Sequence, residues 1–264
     1  MLQFKLIAEA EVKQLCKARG MYETPELNET LILHGLGIMS IGNLSNYINV
    51  TCLMLNCNQL SSIEDLLQFP NLKYLNLNDN CVKEAEFDRL LVNAPFLEEL
   101  HMCGNKLAHF GVTFRHKLRV INMRKNNLTE FPDFSCLEKL EIVDIRDNYI
   151  HQENMFDSLR SLLPASILQL YMHNNEFIAK EKNYRKKCIN MIPSLIFLDA
   201  SAVSPEEREL AEACLTGLSE EEVRKKHAQI RRDARDEILL SFRRFQRNSD
   251  ELVQLAREIK FIVS

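Results

Sequence analysis

Leu72-Lys73-Tyr74-Leu75-Asn76-Leu77-Asn78-Asp79-Asn80-Cys81-Val82 decides how this chain folds. It has the frame L-x-x-L-x-L-x-x-N-x-L, and the frame returns along the middle of the sequence. Asn58 follows Leu53 and Leu55 and precedes Leu60; Asn105 follows Leu97, Leu100 and Met102; Asn126 follows Leu118, Ile121 and Met123. Asn148 follows Leu140, Val143 and Ile145, and Asn175 follows Ile167, Leu170 and Met172. The asparagines are separated by roughly 21 to 27 residues, a period that fits one strand, a turn and a return segment per copy.

This pattern predicts an α/β solenoid: a leucine-rich repeat array with a parallel concave sheet, an N-terminal helical cap and a long C-terminal helical tail. The aliphatic residues of each strand alternate inward with period two, and no copy can bury its inner face alone, so stacking makes the core. The asparagine sits where the chain leaves the strand, where its amide can satisfy backbone groups of its own and neighbouring turns. Asn58, Asn80, Asn105, Asn126, Asn148 and Asn175 are therefore expected to be scaffold. A degenerate first copy, Leu31, Leu33, Ile38 and Ile41, carries Leu36 where the asparagine would stand, which suits a capping unit.

Three regions follow. Residues 1–23 predict a capping helix, with Leu6, Val12 and Leu15 apolar among charges and Gly20 as its stop, covering the open first strand. Residues 24–203 hold the repeats, and the spacers Glu84–Asn93 and Asn154–Leu163 have helical spacing of apolar residues. Asn183-Tyr184-Arg185, then Ile192 to Asp199, supply a last strand with no asparagine turn; this resembles the cap of repeat proteins of the phosphatase-regulator and small nuclear ribonucleoprotein A-prime type. Residues 204–264 predict an amphipathic helical or coiled-coil tail. Ser204-Pro205-Glu206-Glu207 starts one helix and Ser219 to Glu222 a second. From there Val223, Ile230, Ala234, Ile238, Phe242 and Phe245 begin a stripe on a helix of about 40 residues, roughly 60 Å long. Such a stripe needs a partner helix or the repeat array to cover it.

The 264 residues carry a net charge of -4, which gives no basic field for nucleic acid. No apolar run reaches membrane-span length, and Lys5 and Glu9 interrupt any secretion signal, so a cytosolic protein without membrane insertion is expected. Eight cysteines scatter without a C-x-x-C pair, which fits reduced thiols. In that compartment the sequons at Asn28, Asn43, Asn49 and Asn127 are chance matches.

A P-loop, a nucleophile elbow, metal-spaced ligands and paired catalytic carboxylates are all absent from the sequence, so neither an enzyme nor a cofactor is expected. His101 and Cys103 share a strand and a face, but their amide neighbours are weak ligands for a transition metal. The default site is the concave face. Its candidate partner-binding residues are Met54, Tyr74, Asn76, His101, Asn122, Arg124, Asp144, Arg146, Tyr171 and His173, with the tyrosines and arginines as anchors. Changing Arg124 and Arg146 together is expected to spare folding and weaken partner capture.

A more specific signal precedes the repeats. Met21-Tyr22-Glu23-Thr24-Pro25-Glu26-Leu27-Asn28-Glu29-Thr30-Leu31-Ile32-Leu33-His34, then Ile41-Gly42-Asn43-Leu44 and Tyr47, resembles the start of the dynein axonemal assembly factor one family. There a Y-x-T-P-x-L-N-D-T-L-Y-L-H stretch leads into the first repeat, I-E-N-L-E-x-Y follows, and N-Y-R closes the array. The resemblance implies a cytoplasmic scaffold for preassembly of axonemal dynein arms in ciliated or flagellated cells. Its partners would be dynein arm chains, chaperones and other assembly factors, and it would have a link to the cilium or flagellum. This chain departs from the family at Met54, where relatives carry tryptophan. A phosphatase-binding regulatory subunit and a structural component of the axoneme are the alternative readings.

Overall fold

The computed structural model describes residues 5–83, 86–151 and 155–215, and residues 221–240 apart from 223, 227 and 234. It divides into two compact units, Met1–Val203 and Ser204–Ser264.

In the first unit, β1 (Leu6–Ile7) and β3 (Ser40–Ile41) form a small parallel sheet. The larger sheet begins at β2 (Thr30–Ile32) and continues in chain order through β4 (Cys52–Met54), β5 (Tyr74–Asn76), β6 (Glu99–His101) and β7 (Val120–Asn122). It proceeds through β8 (Ile142–Asp144), β9 (Gln169–Tyr171) and β10 (Phe197–Leu198), all parallel, and β11 (Ser201–Ala202) turns back antiparallel. The central residues Leu31, Leu53, Leu75, Leu100, Ile121 and Val143 stand in one register row and are fully buried. Removing each such side chain from water contributes about 1.5–3 kcal/mol, and the row exists only because neighbouring copies cover one another.

The six repeat asparagines form a second continuous row, none more than 7% exposed. The Nδ2 of Asn105 donates to the carbonyl of Met102 in its own turn (3.1 Å) and to that of Leu77 in the preceding turn (2.8 Å), while its Oδ1 accepts from Val82 N–H (3.0 Å). Asn58, Asn80, Asn126, Asn148 and Asn175 repeat this three-way contact with their own pairs of turns. Each preceding residue is left-handed: Cys57, Asp79, Gly104, Lys125, Asp147 and Asn174 have φ between 54° and 69°. That kink turns the asparagine inward.

The two ends close the rows by different means. α1 (Glu9–Ala18) buries Val12 and Cys16, and Gly20 stops it at φ 71° with Met21 N–H bonded back to the Cys16 carbonyl. The expected helix over residues 1–23 is thus shorter. Leu6 is exposed and Ile7 buried because these two form β1, which pairs with β3 and leaves β2 as the edge of the large sheet. The Arg19 guanidinium donates to the Ile32 carbonyl on that edge. Asn28, 3% exposed, donates to the carbonyls of Tyr22 and Thr24 and accepts from Tyr22 N–H, tying the T-P-x-L-N stretch into a knot. At the other end the Asp199 carboxylate accepts from Met172 N–H, His173 N–H and the Tyr184 hydroxyl, so an acid ends the row where no asparagine follows.

On the outer side, α2 (Phe87–Asn93) buries Phe87, Leu90 and Leu91, and α3 (Met155–Leu162) buries Phe156 and Leu159. Residues 84, 85 and 154 of the expected helical spacers lie outside the described residues. Short helices α4 (Glu176–Lys180) and α5 (Tyr184–Met191) fill the last return segment. A chain of phenylalanines runs behind the sheet: Phe87 to Phe110 at 4.5 Å between centroids, Phe110 to Phe134 at 5.4 Å, then Phe131 and Phe177.

The second unit contains α6 (Pro205–Leu215), where the Ser204 Oγ accepts from Glu207 N–H as a helix cap. Residues 221–240 are helical wherever described, and Ile238, Leu239 and Leu240 are 68%, 44% and 53% exposed. The stripe positions Val223, Ala234 and those from Phe242 onward lie outside the described residues.

Asn105→Ala is expected to destabilise the first unit by about 1–3 kcal/mol, because it leaves the Val82 amide buried without a partner and reduces the Leu77 and Met102 carbonyls to their bonds from Asn80 and Asn126; urea unfolding measures this, and an unchanged midpoint would refute it. His116, 8% exposed, accepts Leu118 N–H at Nδ1 (3.1 Å), so its Nε2 carries the proton toward the Ala94 carbonyl (3.3 Å). Burial, helped by neighbouring Lys117, holds the imidazole below its ordinary pKa. Between that lowered value and about 6.5 the unfolded chain binds more protons, so stability falls as pH drops through this window and is unaffected above it. His116→Asn, which can accept the same amide without titrating, is expected to flatten that part of a stability-versus-pH curve.

Candidate protein-interaction face

Each three-residue strand of the large sheet points its middle residue into the core and its two flanking residues to the opposite, concave face, where Asp144 alone of them is buried. The parallel register aligns these into columns. One runs Ile32, Met54, Asn76, His101, Asn122, Asp144 and Tyr171, one step per repeat. A second, just beyond the strand ends, holds His34, Asn56, Asn78, Cys103, Arg124, Arg146 and His173. A third column runs Cys52, Tyr74, Glu99, Val120, Ile142, Gln169 and Phe197, and of these only Tyr74 is among the candidates expected from the sequence. Period two would have found it, because both neighbours of an inward residue face outward.

The candidate residues fall into two groups along the face. In the early repeats Met54 is half-buried, and the Tyr74 ring lies 5.1 Å from that of His101. The Asn76 amide donates to the Tyr74 hydroxyl (3.4 Å), and His101 Nε2 lies 3.3 Å from the Glu99 carboxylate. Burial pushes the Cys52 and Cys103 thiols up, which keeps them protonated and poor as nucleophiles or metal ligands. Among the described residues no three His, Cys, Asp or Glu side chains converge on a point that could hold a metal.

In the later repeats the charges are spent on one another. Arg146 donates twice to Asp144, from Nε at 2.9 Å and from Nη2 at 2.5 Å, and lies 4.9 Å from the centre of the Tyr171 ring. Arg124 Nε donates to Asp147 at 2.6 Å. The Asn174 amide and then this guanidinium hold the Asp147 carboxyl below the usual carboxylate range. His173 Nδ1 is 3.3 Å from Asp199. Asn76, Asn122 and Asp144 each accept the amide two residues on, at 3.0–3.1 Å, which fixes the strand exits. The face is therefore rigid and nearly charge-compensated, suited to contact through rings, amides and paired guanidinium groups, with little long-range steering.

Residues 39–169 match the model of FBD-associated F-box protein At5g56370, LRR repeats. The chain is 30% identical to dynein axonemal assembly factor 1 homolog from Drosophila erecta over 76% of its own length and 14% of the relative's. It is 28% identical to leucine-rich repeat-containing protein ODA7 from Chlamydomonas reinhardtii over 77% of its length and 47% of that protein's. It thus spans less than half of either. Among solved structures, internalin C2 from Listeria monocytogenes shares the fold at 18% identity, with a TM-score of 0.53 over 74% of this chain and 86% of that one. No described helix is long and apolar enough to cross a membrane.

The arginine pairings alter the expectation that these residues can be changed without cost to folding. Arg146→Ala leaves Asp144, 7% exposed, without its guanidinium, and is expected to cost about 1–3 kcal/mol in urea unfolding. Asp144→Asn in the Arg146→Ala background should recover part of that loss; a single variant as stable as the parent would show that the pair contributes nothing.

Proposed function

Because this chain is a leucine-rich repeat protein related over its repeats to dynein axonemal assembly factor 1, we propose that it is a non-enzymatic protein-binding scaffold for cytoplasmic preassembly of axonemal dynein arms. The observation that carries this reading is the two-part likeness: repeats aligned across three quarters of the chain, and the T-P-x-L-N knot around Asn28 at their start. In this reading β1 and α1 cap the array, residues 24–203 present the concave face to a folding client or co-chaperone, and α6 together with the described helical residues of 221–240 serves a partner helix. Tyr74, Tyr171, Arg124 and Arg146 anchor the client. The paired arginines suit that use, because guanidinium groups already held, Arg146 by Asp144 over the Tyr171 ring and Arg124 by Asp147, lose little freedom on contact. The protein works in the cytoplasm and serves the cilium or flagellum from there.

Tagged protein recovered from the cytosol of its own cell and quantified by mass spectrometry is expected to bring dynein heavy or intermediate chains together with chaperones. Tyr74→Ala with Tyr171→Ala should reduce that recovery about tenfold or more if the face is the contact. A stoichiometric phosphatase catalytic subunit without dynein chains would replace this reading by the regulatory-subunit one, and retention in detergent-extracted axonemes by the structural one.

A further inference from the structure

Away from the concave face, on the side where the chain enters the strands, a groove of about 680 Å³ crosses the first four copies. Glu26, Leu27 and Glu29 of the first copy form one end, Thr51 and Lys73 the middle, and Phe96 of the fourth copy the far end. Its floor is tied. The Asn49 amide donates to the Glu26 carbonyl (2.7 Å), the Asn71 amide to the Ile48 carbonyl (2.8 Å), and Lys73 N–H to the Thr51 carbonyl (2.8 Å). Leu27 and Phe96 are 55% and 50% exposed, large apolar groups left in water at its two ends.

The charges single this groove out. The position two residues before each strand centre reads Glu29, Thr51, Lys73, Glu98, Arg119 and Glu141. In the later copies this column neutralises itself, since Arg119 reaches Glu141 at 2.8 Å and Glu98 at 3.9 Å. In the groove Thr51 separates Glu29 from Lys73, and neither these two nor Glu26 forms an ion pair among the described residues. Glu29 and Lys73 therefore enter strands that lie two spacings, about 10 Å, apart, with Glu26 three residues before Glu29. That separation matches three residues of an extended chain at about 3.3 Å each. Free charges of both signs argue against a polyanion as occupant.

We propose that this groove is a second docking site, which takes an extended peptide segment of a partner protein. A basic side chain faces Glu26 and Glu29, an acidic one three residues away faces Lys73, and apolar side chains between and beyond them rest on Leu27 and Phe96. The site is separate from the concave face, so a client held there leaves the groove open to a second protein.

The test titrates the nitrogen-15-labelled full chain with the synthetic peptide Arg-Leu-Ser-Glu-Leu and with its neutral counterpart Gln-Leu-Ser-Gln-Leu. The charged peptide is expected to move the amides of Leu27, Thr51, Lys73 and Phe96 saturably, with those of His101 and Tyr171 unmoved. Affinity for it should fall about fivefold in Glu26→Gln/Glu29→Gln, whose altered residues are both exposed, while the neutral peptide binds parent and variant alike. Phe96→Ser should weaken both peptides. The proposal is overturned by absence of saturable shifts up to about 1 mM peptide, by equal binding of the two peptides to the parent, or by shifts on the concave face instead. Groove amides that move on diluting the chain alone would place a second copy there and overturn it as well.

Discussion

The contact on which everything else rests is the asparagine amide shared between two turns. A solenoid of this period must bury the turn that leaves each strand, and a buried turn carries amides and carbonyls that no strand ladder can reach. Leaving any one of them unpaired costs on the order of 1–3 kcal/mol. One primary amide, with two donors and an acceptor carrying two lone pairs, satisfies a carbonyl of its own turn together with a carbonyl and an amide of the turn before. The bonds therefore couple copies instead of merely closing them. Burial of the leucine row and satisfaction of the asparagine row share the same spacing, so neither can slip without the other.

This coupling explains which parts of the fold the sequence exposes. The asparagine and its aliphatic neighbours recur because every copy faces the same problem, and recurrence is readable. The residue before each asparagine takes a left-handed conformation, yet it is successively Cys57, Asp79, Gly104, Lys125, Asp147 and Asn174, since only the backbone is constrained and the side chain points to solvent or to a neighbouring copy. A pattern in φ leaves no pattern in residue type. The phenylalanine chain behind the sheet is equally hidden, because Phe87, Phe110, Phe131 and Phe134 sit at unequal offsets in return segments of unequal length.

The interaction face divides in the same manner. Which side chains point away from the core follows from period two alone, and the columns could be written down before any coordinates. Which of them are spent on each other could not. Asp144 and Arg146 lie two residues apart on one strand, a spacing that places them on one side but does not dictate a bidentate contact. Arg124 reaches across one copy to Asp147, whose left-handed backbone brings its carboxylate to the face. Pairing of this kind lowers the long-range field of the later repeats and leaves the early repeats with a surface of sulfur, ring and amide groups around the Glu99 carboxylate. A partner is then selected by shape and hydrogen-bond geometry more than by charge.

The ends show how far a family pattern constrains a particular chain. Asp199 does for the last copy what the repeat asparagines do inside, bonding the amides of the turn before it, whereas Asn28, in the T-P-x-L-N stretch of the family resemblance, closes only its own loop. Gly42 stands where that family's pattern has glutamate. A Cβ atom there would lie 2.9 Å from the Ile7 carbonyl oxygen, closer than real contacts allow. β1 can run beside β3 as it does here only because position 42 has no side chain. A glutamate at this position would push the Leu6–Ile7 segment off β3 and remove the Gly42 N–H bond to the Ile7 carbonyl (2.8 Å) that fixes its register. The start of this solenoid therefore depends on a glycine whose role is invisible until the strand above it is placed.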